Sequence, residues 1–83
     1  MMSMEQDRPM SASWDAGEMG CGGLILGLRR ALDKLHGNDL LELFAHGAGA
    51  SVDIPAWCRI TGHDLVLANH PRYVIRKKGD ANV

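Results

Sequence analysis

Cys21-Gly22-Gly23, set directly before Leu24-Ile25-Leu26-Gly27-Leu28-Arg29-Arg30-Ala31-Leu32-Asp33-Lys34-Leu35, is the stretch of this 83-residue chain whose residue types could do chemistry. A cysteine reacts as its thiolate, and the thiolate is favoured where positive charge or hydrogen-bond donors face the sulfur. Leu24, Leu28, Ala31, Leu32 and Leu35 recur at helical spacing, and Ile25 widens the stripe. Arg29, Arg30, Asp33 and Lys34 fall outside it. The pattern predicts an amphipathic helix with Cys21 at its N-terminus. There the first amides lack intrahelical partners and the helix dipole presents partial positive charge. Gly22 and Gly23 would supply two of those amides. The chemistry expected of such a cysteine is that of a reactive thiolate.

Other chemistries have weaker footing. The second cysteine, Cys58, falls in a predicted second helix beside Trp57, where a buried thiol behaves as a small hydrophobe. Cys21 and Cys58 have no CxxC spacing, and no structural disulfide is expected. His36, His46, His63 and His70 are scattered without metal-site spacing, so neither metal nor cofactor is expected. No Ser/His/Asp or Cys/His constellation can be read. The net charge of -1 gives no general attraction to nucleic acid. No apolar run is long enough to span a bilayer. Asp, Glu and Arg near the N-terminus occupy the place of a signal peptide's apolar core, so a cytoplasmic protein is expected.

The elements that position Cys21 follow in chain order. Residues 1–12 read as a disordered tail, 13–78 as one domain and 79–83 as a frayed end. Ser13 to Met19 is a candidate strand with Trp14 and Ala16 on one face, interrupted by Gly17. The first helix is expected to end at Leu35 or His36, with Gly37 in the left-handed position. Leu40 to Ala45 reads as a well-covered strand whose one charge, Glu42, points to solvent. His46-Gly47-Ala48-Gly49-Ala50 is a glycine-rich loop, read as conformational punctuation. Ser51 or Asp53 could cap a second helix with Pro55 in its first turn, and Gly62 ends it. Leu65 to Ala68 and Tyr73 to Lys77 are strands, with Tyr73 and Ile75 on one face and Val74 and Arg76 on the other. The order predicts an α/β two-layer sandwich, βαβαββ, with both helices on one sheet face.

Three segments resemble the TusA/SirA-like family of small bacterial sulfur-carrier proteins. They are Trp14-Asp15-Ala16 with Cys21 and Arg29-Arg30; Asp53-Ile54-Pro55 with Gly62-His63 and Leu65-Val66; and Tyr73-Val74-Ile75-Arg76-Lys77. The resemblance spans Trp14 to Lys77 and implies a four-stranded mixed sheet. It also implies a cysteine, matched by Cys21, that accepts a sulfane sulfur as persulfide and hands it on. The implied partners are a sulfur donor, such as a cysteine desulfurase or rhodanese-like protein, and a downstream acceptor protein. Neither a membrane nor direct nucleic-acid binding is implied. The family usually reads Cys-Pro-x-Pro where this chain has Cys21-Gly22-Gly23-Leu24, and His46-Gly47 replaces acidic residues common after the second strand. Proline carries no N–H, so Gly22 restores a donor beside the sulfur and loosens the helix start.

Arg29, Arg30, Arg76 and Lys77 are the expected partner-docking residues, a basic set suited to an acidic face. Two further readings stand beside the sulfur carrier. One is a non-catalytic interaction or regulatory domain on the same fold. The other is an RNA-binding module using the basic C-terminal run Arg72, Arg76, Lys77 and Lys78.

Overall fold

The computed structural model describes residues 11–79. The elements are β1 (Ala12–Gly17), α1 (Cys21–Asp33), β2 (Leu40–Ala45), α2 (Ala50–Thr61), β3 (Asp64–Asn69) and β4 (Arg72–Arg76). They form one four-stranded sheet in the order β1-β2-β4-β3. β1 pairs parallel with β2, and β4 lies antiparallel to both β2 and β3. The sheet is therefore mixed, and α1 is the crossover that a parallel β1–β2 pair requires.

Strand alternation puts Leu41, Leu43, Ala45, Tyr73 and Ile75 on one face, all buried. Leu24, Leu28 and Leu32 of α1 and Ala50, Ile54 and Cys58 of α2 join them in a single core. Each buried leucine contributes about 1.5–3 kcal/mol, so the α1 stripe is a principal tie between helix and sheet. Glu42, Val74 and Arg76 point from the opposite face. Glu42 accepts a hydrogen bond from Arg72 Nε at 2.7 Å, and Arg76 pairs with Asp64. Val74 is buried there as well, flanked in register by Glu42 and Leu67.

Several boundaries differ from the sequence reading. β1 begins at Ala12, and Ser11 N–H already donates to Leu40 O at 2.8 Å, so the expected tail over 1–12 is too long at its inner end. Residues 1–10 and 80–83 of the expected tail and frayed end lie outside the described residues. β1 stops at Gly17, short of Met19, because the Asp15 carboxylate takes the Gly17 N–H and Gly17 turns at φ 60. α1 ends at Asp33, with Lys34 as C-cap. The left-handed residue of the following turn is Asn38 (φ 72), not Gly37. That turn is set from outside: Asn38 N–H donates to Lys77 O, and the Asp39 carboxylate takes the His36 N–H. Asn tolerates this conformation through its short polar side chain. α2 begins at Ala50 with Gly49 as N-cap and no side-chain cap bond. Ser51 and Asp53 thus sit inside the helix, and Pro55 lies past its first turn. Gly62 takes the left-handed C-terminal position at φ 89, as expected.

Candidate functional site

α1 begins at Cys21 itself, with Gly20 as an extended N-cap that makes no side-chain cap bond. The first intrahelical bond is Leu24 N–H to Gly20 O at 2.8 Å. The amides of Cys21, Gly22 and Gly23 therefore have no intrahelical acceptor. Gly22 and Gly23 are both exposed. No acidic side chain occupies the first turn, so nothing there neutralises the positive helix end. The arrangement can receive an anion, including a thiolate, at the start of α1.

The surroundings of this helix end were not apparent from the sequence. The 46–49 loop packs against the segment leading into Cys21: His46 N–H donates to Gly17 O at 2.7 Å. A side-chain carbon at Gly47 would come within 3.2 Å of Met19 O. The Met19 side chain lies over Gly23, where an added carbon would sit 3.1 Å from Met19 Cγ. The glycines of both segments thus permit close approach. The β3–β4 turn reaches the same end of the sheet, where Ala45 N–H donates to Pro71 O and His70 Nδ1 meets the Tyr73 hydroxyl at 2.6 Å. His46 and His70 are therefore brought to the Cys21 end by topology alone. Among the described residues no group of three or more His, Cys, Asp or Glu could hold a metal ion.

Cys58 has the opposite environment. It is 3% exposed on the core side of α2, and burial, followed by the negative charge of Asp64, pushes its thiol up to about 11.

The four basic residues expected to dock partners do not form one surface. Arg29 and Lys77 line a cleft at the C-terminal ends of the helices, together with Trp57, His63 and Lys78. Arg29 is eight residues along α1 from Cys21, about 12 Å at the helical rise. Arg30 lines a separate cleft against β1. Arg76 lies on the far sheet face, engaged by Asp64. Lys77 and its neighbour also have structural tasks: Lys77 Nζ donates to Leu35 O at 2.6 Å and Lys78 Nζ to Thr61 O at 3.0 Å. The Lys78 ammonium thereby satisfies a carbonyl left free at the C-terminus of α2, and the Lys77 ammonium one in the turn just past α1. Lys78 N–H donates to His63 Nδ1, and burial plus the two lysines lower the His63 pKa.

The comparisons with known proteins agree with the geometry. The profile of the family described as "Sulfurtransferase TusA" matches residues 13–77, which contain all six elements except the first residue of β1. "Putative sulfur carrier protein YrkI" of Bacillus subtilis (strain 168) is 35% identical over 52 residues, covering 63% of this chain and 69% of that protein. With the family profile spanning most of the chain, and the βαβαββ sheet order present, the chain belongs to the TusA family.

Proposed function

We propose that this chain is a sulfur carrier whose Cys21 holds a sulfane sulfur as a persulfide. The observation that carries the reading is the uncapped start of α1 at Cys21, with two exposed glycine amides following it. Such an end favours the thiolate over the thiol and also favours the persulfide anion. In the loading step the Cys21 thiolate attacks the terminal sulfur of a donor persulfide. The donor S–S bond breaks, the donor leaves as its thiolate, and Cys21 holds the new S–S bond. In unloading, an acceptor thiolate attacks the terminal sulfur and Cys21 leaves as thiolate. The sulfane sulfur changes carrier without net oxidation, so no cofactor enters the balance. The setting proposed is the cytoplasm, where thiols are kept reduced.

The donor is proposed to be a cysteine desulfurase or rhodanese-like protein with an acidic face, and the acceptor another protein. Of the basic residues, Arg29 and Lys77 share the surface offered for docking. Incubation with a cysteine desulfurase and cysteine, followed by intact-mass measurement, tests the reading. A gain of one sulfur atom supports it, and an unchanged mass under conditions that load a known carrier opposes it.

Arg29 provides a separate prediction. It is exposed and makes neither of the two ion pairs among the described residues, Glu42–Arg72 and Asp64–Arg76. Arg29→Glu is expected to change stability by no more than about 0.5 kcal/mol. It should slow sulfur transfer from an acidic donor about tenfold through weakened association. Thermal melting and transfer rates measured on the same preparation check both halves. Loss of folding would show that Arg29 is structural.

A further inference from the structure

Between α1 and the outer strand β1 lies a cleft of about 360 Å³ that the sulfur chemistry does not use. Half-buried Ala12, Trp14 and Leu35 form its apolar walls, and fully buried Leu41 contributes to its floor. Arg30 and Lys34, one helical turn apart and both exposed, stand at its mouth. No carboxylate is among the described residues lining it.

The strand beside this cleft is open. β1 ends the sheet, with β2 on one side and no strand on the other among the described residues. Ser11 N–H points inward to Leu40 O. Within β2, Asp39 O and Ala45 N–H face β4, so Leu40, Glu42 and Phe44 face β1; in the Ala12–Leu41 register Ala12 and Trp14 bond inward to them, and Ser13 and Asp15 offer N–H and C=O to the free edge. The guards of this edge, Asp15 and the register shift between Asp15 and Gly17, lie in its second half, and Ala12–Trp14 carries no charge, proline or bulge. Ser13 and Asp15 thus present unpaired backbone outward, while Ala12 and Trp14 beside them present apolar side chains to the cleft.

We infer that this cleft receives an extended, alternating acidic and apolar segment of a partner protein, added as a fifth strand alongside β1. Main-chain hydrogen bonds to Ser13 and Asp15 hold the segment, its apolar side chains enter beside Trp14, and its carboxylates meet Arg30 and Lys34. Strand addition with side-chain pockets at alternate positions is an established mode of peptide capture. The charge at the mouth selects acidic over basic segments. The inference does not depend on sulfur on Cys21, and this cleft is distinct from the Arg29–Lys77 cleft.

The test is an NMR titration of the full chain with a short capped peptide alternating Glu and Val, against the same peptide with Lys for Glu. Saturable shifts at the Ala12–Asp15 and Arg30–Lys34 amides with the acidic peptide alone are expected. Reversal of Arg30 and Lys34 to Glu should weaken binding about tenfold, through loss of two exposed charge pairs. Ser13→Pro removes an outward donor at an edge position that tolerates proline, and should also weaken binding. Unchanged spectra of the free variants away from the substitutions establish that they fold. Shifts centred on Arg29 and Lys77, equal response to the lysine peptide, or no saturable response would each overturn the inference. Shifts at β1 that depend on protein concentration without peptide would overturn it in favour of a second copy.

Discussion

Cys21→Ser protein is expected to gain no sulfur when incubated with a cysteine desulfurase and cysteine, and Cys58→Ser protein is expected to load as the wild type does. The two cysteines differ in backbone setting: Cys58 lies inside α2 and Cys21 is the first residue of α1. With its thiol pushed up to about 11, Cys58 stays protonated at pH 7, and it lies 3% exposed among core residues. Cys21 begins α1, where no side chain caps the helix. Loss of loading in Cys21→Ser should be complete, because serine cannot form a persulfide. Cys58→Ser replaces a buried thiol with a hydroxyl that needs a hydrogen-bond partner, so it should lose about 1–3 kcal/mol of stability while retaining the chemistry. Peptide mapping of the loaded protein checks the assignment. A sulfur adduct that persists in Cys21→Ser and vanishes in Cys58→Ser would reverse it.

Gly27→Ala is expected to destabilise the domain although alanine is the better helix former. Alanine gains about 1 kcal/mol of helix propensity over glycine. Its side-chain carbon, however, would stand 2.3 Å from Trp14 Cη2 and 2.8 Å from Cζ2. These atoms belong to a rigid indole packed against the core rather than to the end of a flexible chain. Overpacking costs about 1–3 kcal/mol and more where backbone must shift, so steric conflict outweighs propensity. The expected net loss of about 1–2 kcal/mol lowers the melting temperature by about 4–8 °C per kcal/mol in a domain of this size. In the Trp14→Ala background the same substitution should become neutral or stabilising. Thermal melts of the four proteins in that cycle measure the coupling, and additive effects would show that the indole does not limit Gly27.

How much of this was legible beforehand can be traced through particular residues. The Leu24-Leu28-Leu32 stripe and the Tyr73/Ile75 alternation placed the helices on one sheet face because they depend on local periodicity alone. Gly62 was legible as a helix stop for the same reason. Asn38 was not, because its turn is held by Lys77 O, thirty-nine residues away in sequence. Arg29 and Arg30 were grouped because they are adjacent, but a helix turns about 100° per residue, which carries them to different clefts. Arg76 was grouped with Lys77, yet strand alternation sends it to the far face, where Asp64 engages it. Met19 over Gly23, and the Trp14 indole against Gly27, arise from packing between elements and leave no local pattern. The helix start at Cys21 was legible because the glycines and the leucine period together mark where helical order begins.

The pH dependence of alkylation of Cys58→Ser protein, in which Cys21 is the remaining thiol of the chain's two, tests the helix-end thiolate most directly. If the free amides at the start of α1 stabilise the anion, the rate rises through an inflection below the unperturbed cysteine value of about 8.5. An added Cβ at Gly22 would meet nothing within 4 Å, and the Gly22 N–H, in the first turn of α1, has no intrahelical bond for proline to remove. That substitution removes one donor and should move the inflection upward while the fold persists. An inflection at or above about 8.5 in the parent protein, unchanged by Gly22→Pro, would contradict the assignment of Cys21 as an activated sulfur-carrying thiol.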